Sequence, residues 1–400
     1  MTGREVWVTG LGAVSAAGIG APALGDMLIQ GRSGVRPLPE LDHLPVGRAN
    51  APPPHRADRH LDRSARFFLA AGEEAWRDAG LDNRSLDFKR CAVLEGSSLG
   101  PLADLLTEHS RQGTSRPADS ARPSRLVRYM SGAGGASLAQ LHGMRGPVLH
   151  LSAGSVSAAC AIGEAFQKIA LGLLDVVVAG GAECPLHPEI IASFRSAGIL
   201  GEPDAGGTAC RPFDRRRNGT VLGEGAGVLV LEAAEHALRR GARPHAVVAG
   251  FGISCEAYSM TAPDPTGAGV VDAVGEALGA LEPDQVGWIK THGTGTRLND
   301  AAECRGLATV FGKSLPATPL TSFKPALGHC LGGSAGVETV GAIIALQRRL
   351  IPPTLGSDAV DPELPPCTVP TVTSHSDRST ALVLAESFGG RCTALVLTTP

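Results

Sequence analysis

Paired cysteines are missing from this chain of 400 residues. It has nine, an odd number, scattered singly with no CxxC pair and no zinc-type spacing. That pattern argues against a disulfide framework or a structural metal and fits a reducing cytoplasm. No signal peptide precedes Val6 and no run approaches the roughly 20 apolar residues that a membrane span needs, so neither export nor a span is expected. An excess of one charge is absent as well. With a net charge of −3, the composition gives no reason to expect nucleic acid. The cluster Arg215, Arg216 and Arg217 suits an acidic partner or plain solvated surface. GLGAVSAAG, from Gly10 to Gly18, lacks the glycine spacing of a dinucleotide fingerprint or a P-loop, and is expected to form a tight turn under a closely packed helix.

What is present is a chain that is 43% hydrophobic, enough for a large core divided into two domains or halves. Short apolar runs predict strands at Val6 to Val8, Cys91 to Leu94, Val148 to Leu151, Val176 to Ala179, Gly227 to Leu231, Ala246 to Ala249, Trp288 to Thr291 and Ala394 to Leu397. Ala-rich stretches at helical spacing predict helices at Ala65 to Ala79, Ala158 to Leu173, Gly267 to Leu278 and Gly336 to Leu346. The alternation predicts an α/β chain with sheets covered by helices. Val8-Thr9-Gly10-Leu11-Gly12 resembles Val248-Ala249-Gly250-Phe251-Gly252, each expected as a strand entering a Gly-rich turn, and each half ends in a hydrophobic strand. Two related halves follow, residues 1–240 and 241–400. The Arg- and Pro-rich stretch Gly113 to Ser124 is expected to be a surface excursion.

VLHLSAGSVSAACAIGEAF, Val148 to Phe166, concentrates the chemical interest. Its pattern predicts a short buried strand, a turn permitted by Gly154, and a helix with Ser155 at its N-terminus. A serine there serves as an ordinary N-cap or as a nucleophile among unpaired N–H groups that favour a developing anion. In the second half, WIKTHGTGTRLNDAAE sets His292 just after a strand, beside Gly293, Thr294, Gly295 and Thr296. LTSFKPALGHCLGGSAGVE offers Lys324 and His329 in a glycine-rich loop, and ESFGGRC places Phe388 before Gly389 and Gly390 in a possible flap whose N–H faces an oxyanion. Each histidine alone is as well explained by structural hydrogen bonding, and the Phe388 segment by a β-turn.

Together, RPFDRRRNGTVLGEGAGVLVLE (Arg211 to Glu232), THGTGTRLNDAAE (Thr291 to Glu303), KPALGHCLGGSAGVE (Lys324 to Glu338) and VVVAGGAE (Val176 to Glu183) resemble the signature segments of the β-ketoacyl synthases. The elongating ketosynthases of type II fatty-acid and polyketide systems are the nearest in kind, and the similarity spans essentially the whole chain. The resemblance implies a thiolase-like fold, with duplicated βαβαβαββ halves in a five-layer αβαβα arrangement. It also implies a dimer, either of identical chains or with a second ketosynthase-like subunit. The substrates it implies are acyl chains on the phosphopantetheine arm of an acyl carrier protein, with no permanently bound cofactor. By position, His292 and His329 match the family's two histidines and Lys324 the lysine of the second motif. Thr294 and Thr296 match the threonines that contact pantetheine, Phe388 and Gly389 belong to the gate, and Asp300 and Glu338 match acidic residues that hold the loops. Arg391 and Cys392 depart from the Thr and Asn that follow the family's gate.

The largest departure is at the nucleophile. Counting back from VVVAGGAE sets Ser155 where condensing members carry cysteine, and Cys160, five residues further on, points elsewhere as a small core residue. A thiol can be held as thiolate near neutral pH, whereas a hydroxyl needs a base during attack. An oxyester is also a poorer electrophile toward a carbanion than a thioester. Four readings follow: a Ser-His-His acyltransferase or other noncondensing variant, which is favoured; a condensing enzyme whose cysteine was changed to serine; a noncatalytic partner akin to a chain-length factor; and an unrelated α/β-hydrolase. GSVS is not the GxSxG of that last class.

Overall fold

Strand and helix patterns alternate along the chain because each apolar strand needs a helix to cover it. The computed structural model describes residues 3–57, 60–81, 86–112, 124–203 and 207–400. The principal strands are β1 (Val6–Ser15), β2 (Cys91–Gly96), β3 (Val148–Leu151), β4 (Val176–Glu183), β5 (Gly225–Ala233), β6 (Ala246–Cys255), β7 (Trp288–Lys290), β8 (Leu320–Thr321), β9 (Thr380–Ser387) and β10 (Arg391–Thr398). The principal helices are α1 (Arg63–Asp78), α2 (Ala133–His142), α3 (Ser157–Ala170), α4 (Ala268–Leu278), α5 (Arg297–Phe311) and α6 (Ser334–Gln347).

The strands run in the spatial order β3-β2-β4-β5-β1 in the first half and β8-β7-β9-β10-β6 in the second. Both halves therefore share one topology. The pairings agree as well: β2 is parallel to β3 and β4 as β7 is parallel to β8 and β9, while β5 and β10 run antiparallel to both their neighbours. The halves join where β1 pairs antiparallel with β6, Val6 opposite Val248.

Five layers result. Helices α1 and α2 pack on the first-half strands and α4 on the second-half strands, with α5 against α4, while α3 and α6 touch each other and strands of both halves. Helix α6 is buried from Ser334 to Leu346, as a helix apolar on all sides must be. Its Val340 and Ile343 join Ile162 and Ile169 of α3 in one core cluster. Each such side chain contributes about 1.5–3 kcal/mol by leaving water.

Two expectations need correction. The glycines near residues 10 and 250 lie inside strands, not in turns, because β1 and β6 continue to Ser15 and Cys255. Their purpose is close helix approach: a Cβ on Gly10 or Gly12 would stand 2.1 or 1.9 Å from the carbonyl oxygens of Ala75 and Ala71 in α1. On Gly250 or Gly252 it would stand 2.0 Å from those of Ala277 and Ala273 in α4. Strand β3 is not buried: it ends the sheet, so Val148 and Leu149 stay 39% and 46% exposed. Of the Gly113 to Ser124 excursion, residues 113–123 lie outside the described residues, and Ser124 opens a short helix. Among the described residues no helix is long and apolar enough to cross a membrane.

Candidate active site

After β3 the chain reverses at Gly154, whose φ of 67° is the left-handed conformation that glycine tolerates best. Ser157 ties this turn, its Oγ donating to the Gly154 carbonyl at 2.6 Å and accepting from Ala153 N at 2.9 Å. The N-cap position of α3 belongs to Val156, with no side-chain cap. Ser155 is therefore not a cap. Its hydroxyl instead lies 3.0 Å from His329 Nε2, and its backbone N–H donates to Ser387 Oγ at 2.9 Å.

His329 follows a one-turn helix, Lys324–Leu327, and the left-handed Gly328. That glycine lets the loop press on Leu222, whose carbonyl oxygen would be 2.5 Å from a Cβ there. His329 Nδ1 meets Ser334 Oγ, at the start of α6, at 2.9 Å. With Nδ1–H donating to Ser334, Nε2 is free to accept the Ser155 proton.

His292 directly follows β7 and Thr291. Its backbone N–H and that of Gly293 donate to the buried Glu303 carboxylate of α5, and Lys324 Nζ donates to the His292 carbonyl at 2.6 Å. The same Nζ lies 3.4 Å from His292 Nδ1, which leaves the other ring nitrogen as the N–H donor. Glu338, on α6, accepts from Lys324 at 2.9 Å and also from Lys290. The two imidazoles stand edge to face with centroids 5.4 Å apart.

Burial is the main force on charge here. It pushes both imidazoles well below the ordinary 6.5, with help from the Lys324 and Lys290 charges, so both are neutral at pH 7. Burial alone would raise Glu338, but Lys290 and Lys324 outweigh it and hold the carboxyl below its usual range. Burial also raises Asp300 to about 6 and Glu303 to about 7.

Ser155, His292, His329, Thr294, Thr296, Phe388 and Gly389 all line one cavity of about 660 Å³. Lys324, Glu338 and Asp300 stand behind it as supports. Thr294 and Thr296 share a 2.9 Å hydroxyl contact, and Asp300 accepts from Gly295 N at 3.1 Å and Phe213 N at 2.8 Å. Phe388 is 49% exposed in a tight turn with Gly389 and Gly390 in left-handed geometry. Arg391 Nη1 donates to the Phe388 carbonyl at 3.1 Å, tying the flap to its own base. Cys160 faces apolar neighbours, and burial pushes its thiol up to about 11. It cannot supply thiolate at neutral pH.

Glu256, Glu386 and Cys392 bring donor atoms within 4.8 Å of one another at the cavity wall. Burial, reinforced by the negative charges of Glu303, Glu256 and Asp300, pushes Glu386 well above its usual range. A carboxyl that keeps its proton is a poor metal ligand.

The sequence motifs concealed several participants. Ser334 lies five residues beyond His329 inside GGSAGVE, and Glu303 closes the His292 motif, so both were within quoted segments. Ser387 and Lys290 also lie in quoted segments, ESFGGRC and WIKTHGTGTRLNDAAE, but nothing there marks them, because one reaches Ser155 and the other Glu338 only through tertiary packing.

Comparison with known proteins places this arrangement. The family model for the β-ketoacyl synthase N-terminal domain matches residues 3–237, and that for the C-terminal domain residues 245–358. The ketoacyl synthase alpha subunit of the tetracenomycin polyketide synthase of Streptomyces glaucescens is 32% identical over 426 residues, covering 99% of this chain and 97% of that protein. A ketosynthase solved in complex with its type II polyketide acyl-carrier protein and bound to the hexaketide superposes with a TM-score of 0.91 at 28% identity, covering all of both chains. The ishigamide ketosynthase/chain length factor gives 0.89 at 29%, again over all of both chains. The whole-length match, the repeated topology and the two histidines in one cavity lead to the same conclusion: the chain belongs to the β-ketoacyl synthase family, with its thiolase-like fold.

Proposed function

We propose that this protein is a noncondensing acyltransferase of polyketide or fatty-acid type biosynthesis, in which Ser155 takes acyl groups from the phosphopantetheine thioester of an acyl carrier protein. The observation that carries this is the Ser155–His329–Ser334 chain, each link 2.9–3.0 Å. His329 Nε2 removes the Ser155 proton as Oγ attacks the thioester carbonyl, the C–S bond breaks, and the proton returns to the departing pantetheine sulfur. An oxyester remains on Ser155. A hydroxyl, amine or water acceptor, activated by the same histidine, then releases the acyl group.

His292, with Lys324 at Nδ1, presents an N–H donor toward the cavity and polarises the substrate carbonyl. Thr294 and Thr296 receive the pantetheine arm, and Phe388 with Gly389 gates the acyl pocket. Residues 1–240 supply the nucleophile and 241–400 the histidines and gate. The protein works in the cytoplasm as a dimer, with itself or with a second ketosynthase-like subunit. The exposed Val148 and Leu149 of the sheet-edge strand β3 support such pairing. A purely structural partner role is disfavoured because both histidines sit within the nucleophile's cavity.

Incubation with acyl-carrier thioesters followed by intact mass spectrometry tests the proposal. A covalent gain on the wild type that disappears in Ser155→Ala is expected. No adduct, together with unchanged activity in Ser155→Ala, would refute it.

A further inference from the structure

An acyl-transfer site must stabilise the oxyanion of its tetrahedral intermediate, and the nucleophile's own backbone N–H is a natural donor for it. A donor serves that role when it lies about 2.7–3.1 Å from the place the oxyanion will take. Here another oxygen already stands within that distance of the Ser155 N–H. Ser387 Oγ stands 2.9 Å from Ser155 N and accepts its N–H.

Ser387 ends β9, immediately before Phe388 and the Gly389-Gly390 turn, and lines the cavity beside Ser155. Its fit against the turn is close: a Cβ on Gly154 would be 2.1 Å from Ser387 Oγ, so the contact exists only because residue 154 is glycine. Sequence and packing therefore agree in bringing this hydroxyl onto the elbow. The same strand end leads into the segment that Arg391 ties down, so the hydroxyl moves when the Phe388 turn moves, or by rotation of its own side chain.

We infer that Ser387 is a plug of the oxyanion site: in the resting protein its hydroxyl occupies the position of the acyl oxyanion, and Ser155 becomes fully reactive only when the hydroxyl is displaced. The inference rests on the proposal that Ser155 is acylated. Ser387 acts on Ser155 through the donor it occupies, so it is a positioning residue. It makes acylation conditional on a substrate that can displace it, which gives the site selectivity against small adventitious acyl donors and water.

An alkyl fluorophosphonate tests this without knowledge of the natural acyl chain. Ser155 Oγ bonds to phosphorus as the P–F bond breaks, fluoride leaves, His329 takes the hydroxyl proton, and the phosphoryl oxygen enters the oxyanion position. The rate of labelling at Ser155, followed by mass spectrometry, is compared in the wild type, Ser387→Ala and Ser387→Gly, two smaller side chains that add no clash. Both variants should label about fivefold faster, the factor released when one net hydrogen bond need no longer be broken. Variants that label at the wild-type rate overturn the plug while leaving Ser155 as nucleophile. Slower labelling in the variants overturns the plug as well and makes the hydroxyl itself a donor to the oxyanion. No labelling in any of the three chains overturns both the plug and the acylation proposal.

Discussion

Replacing His329 by alanine removes the only imidazole that meets the Ser155 hydroxyl among the described residues, and the consequence can be graded. Base catalysis of this kind contributes about 10²–10⁴ in rate, equivalent to about 2.7–5.4 kcal/mol at 1.36 kcal/mol per tenfold. His329→Ala should lose that whole factor in the acylation of Ser155. Ser334→Ala removes only the group that fixes the His329 tautomer, through a neutral hydrogen bond of 2.9 Å. Its loss of about 0.5–1.5 kcal/mol corresponds to a rate about two- to twelvefold lower. His292→Ala keeps the base and loses the carbonyl-polarising donor, so it should slow acylation by less than His329→Ala does. Single-turnover acylation by an acyl-carrier thioester, followed by quenched-flow mass spectrometry, gives all three rates. The reasoning fails if His329→Ala acylates at the wild-type rate while His292→Ala does not, or if Ser334→Ala is as severe as His329→Ala.

Four further outcomes follow from the same structure. Because burial holds both imidazoles well below 6.5, acylation should stay level as pH falls through 6.5; a break there would show an ordinary histidine. The linked stability has a defined sign: the unfolded histidines take up protons below 6.5 and the folded ones do not, so these two groups lower stability as pH drops through that value, measurable by denaturant titration. Glu338→Gln leaves Lys290 and Lys324 without their shared buried carboxylate and should cost about 3–5 kcal/mol, read as a lower denaturation midpoint, with no change expected if the pair is solvated. Gly12→Ala forces a Cβ to 1.9 Å from the Ala71 carbonyl oxygen, so α1 must move off β1; a destabilisation of about 1–3 kcal/mol is expected, and a neutral result would contradict the close approach.

Much of the fold was legible because its strands and helices follow simple periods. The runs at Val176 and Ala394 and the helical stretches at Ala65 and Gly336 carry their burial in their own pattern. Strand β8 has only Leu320 and Thr321 in its ladder, too short for a period to show. Helix α5 opens on the polar RLNDAAE because its first two turns hold the loop of His292 through Asp300 and Glu303, so chemistry obscured its amphipathicity. For the site, the glycine-flanked histidines could be found by motif, but the choice between them depended on which ring nitrogen reaches Ser155. That is a tertiary distance. Ser155 itself was ambiguous between cap and nucleophile until the helix was seen to start without its side chain. Ser387 was invisible for a different reason: its contact needs both the bare Gly154 and a strand more than 200 residues away to arrive at one point.

The central claim is that acyl groups rest on the Ser155 oxygen. After incubation with an acyl-carrier thioester, the modified peptide should be mapped with and without neutral hydroxylamine, which cleaves thioesters readily and oxyesters slowly. The account predicts an acyl group on Ser155 that survives this treatment and is absent from Ser155→Ala. An acyl group found instead on Cys160 and lost to hydroxylamine, or undiminished acylation of Ser155→Ala, would contradict it.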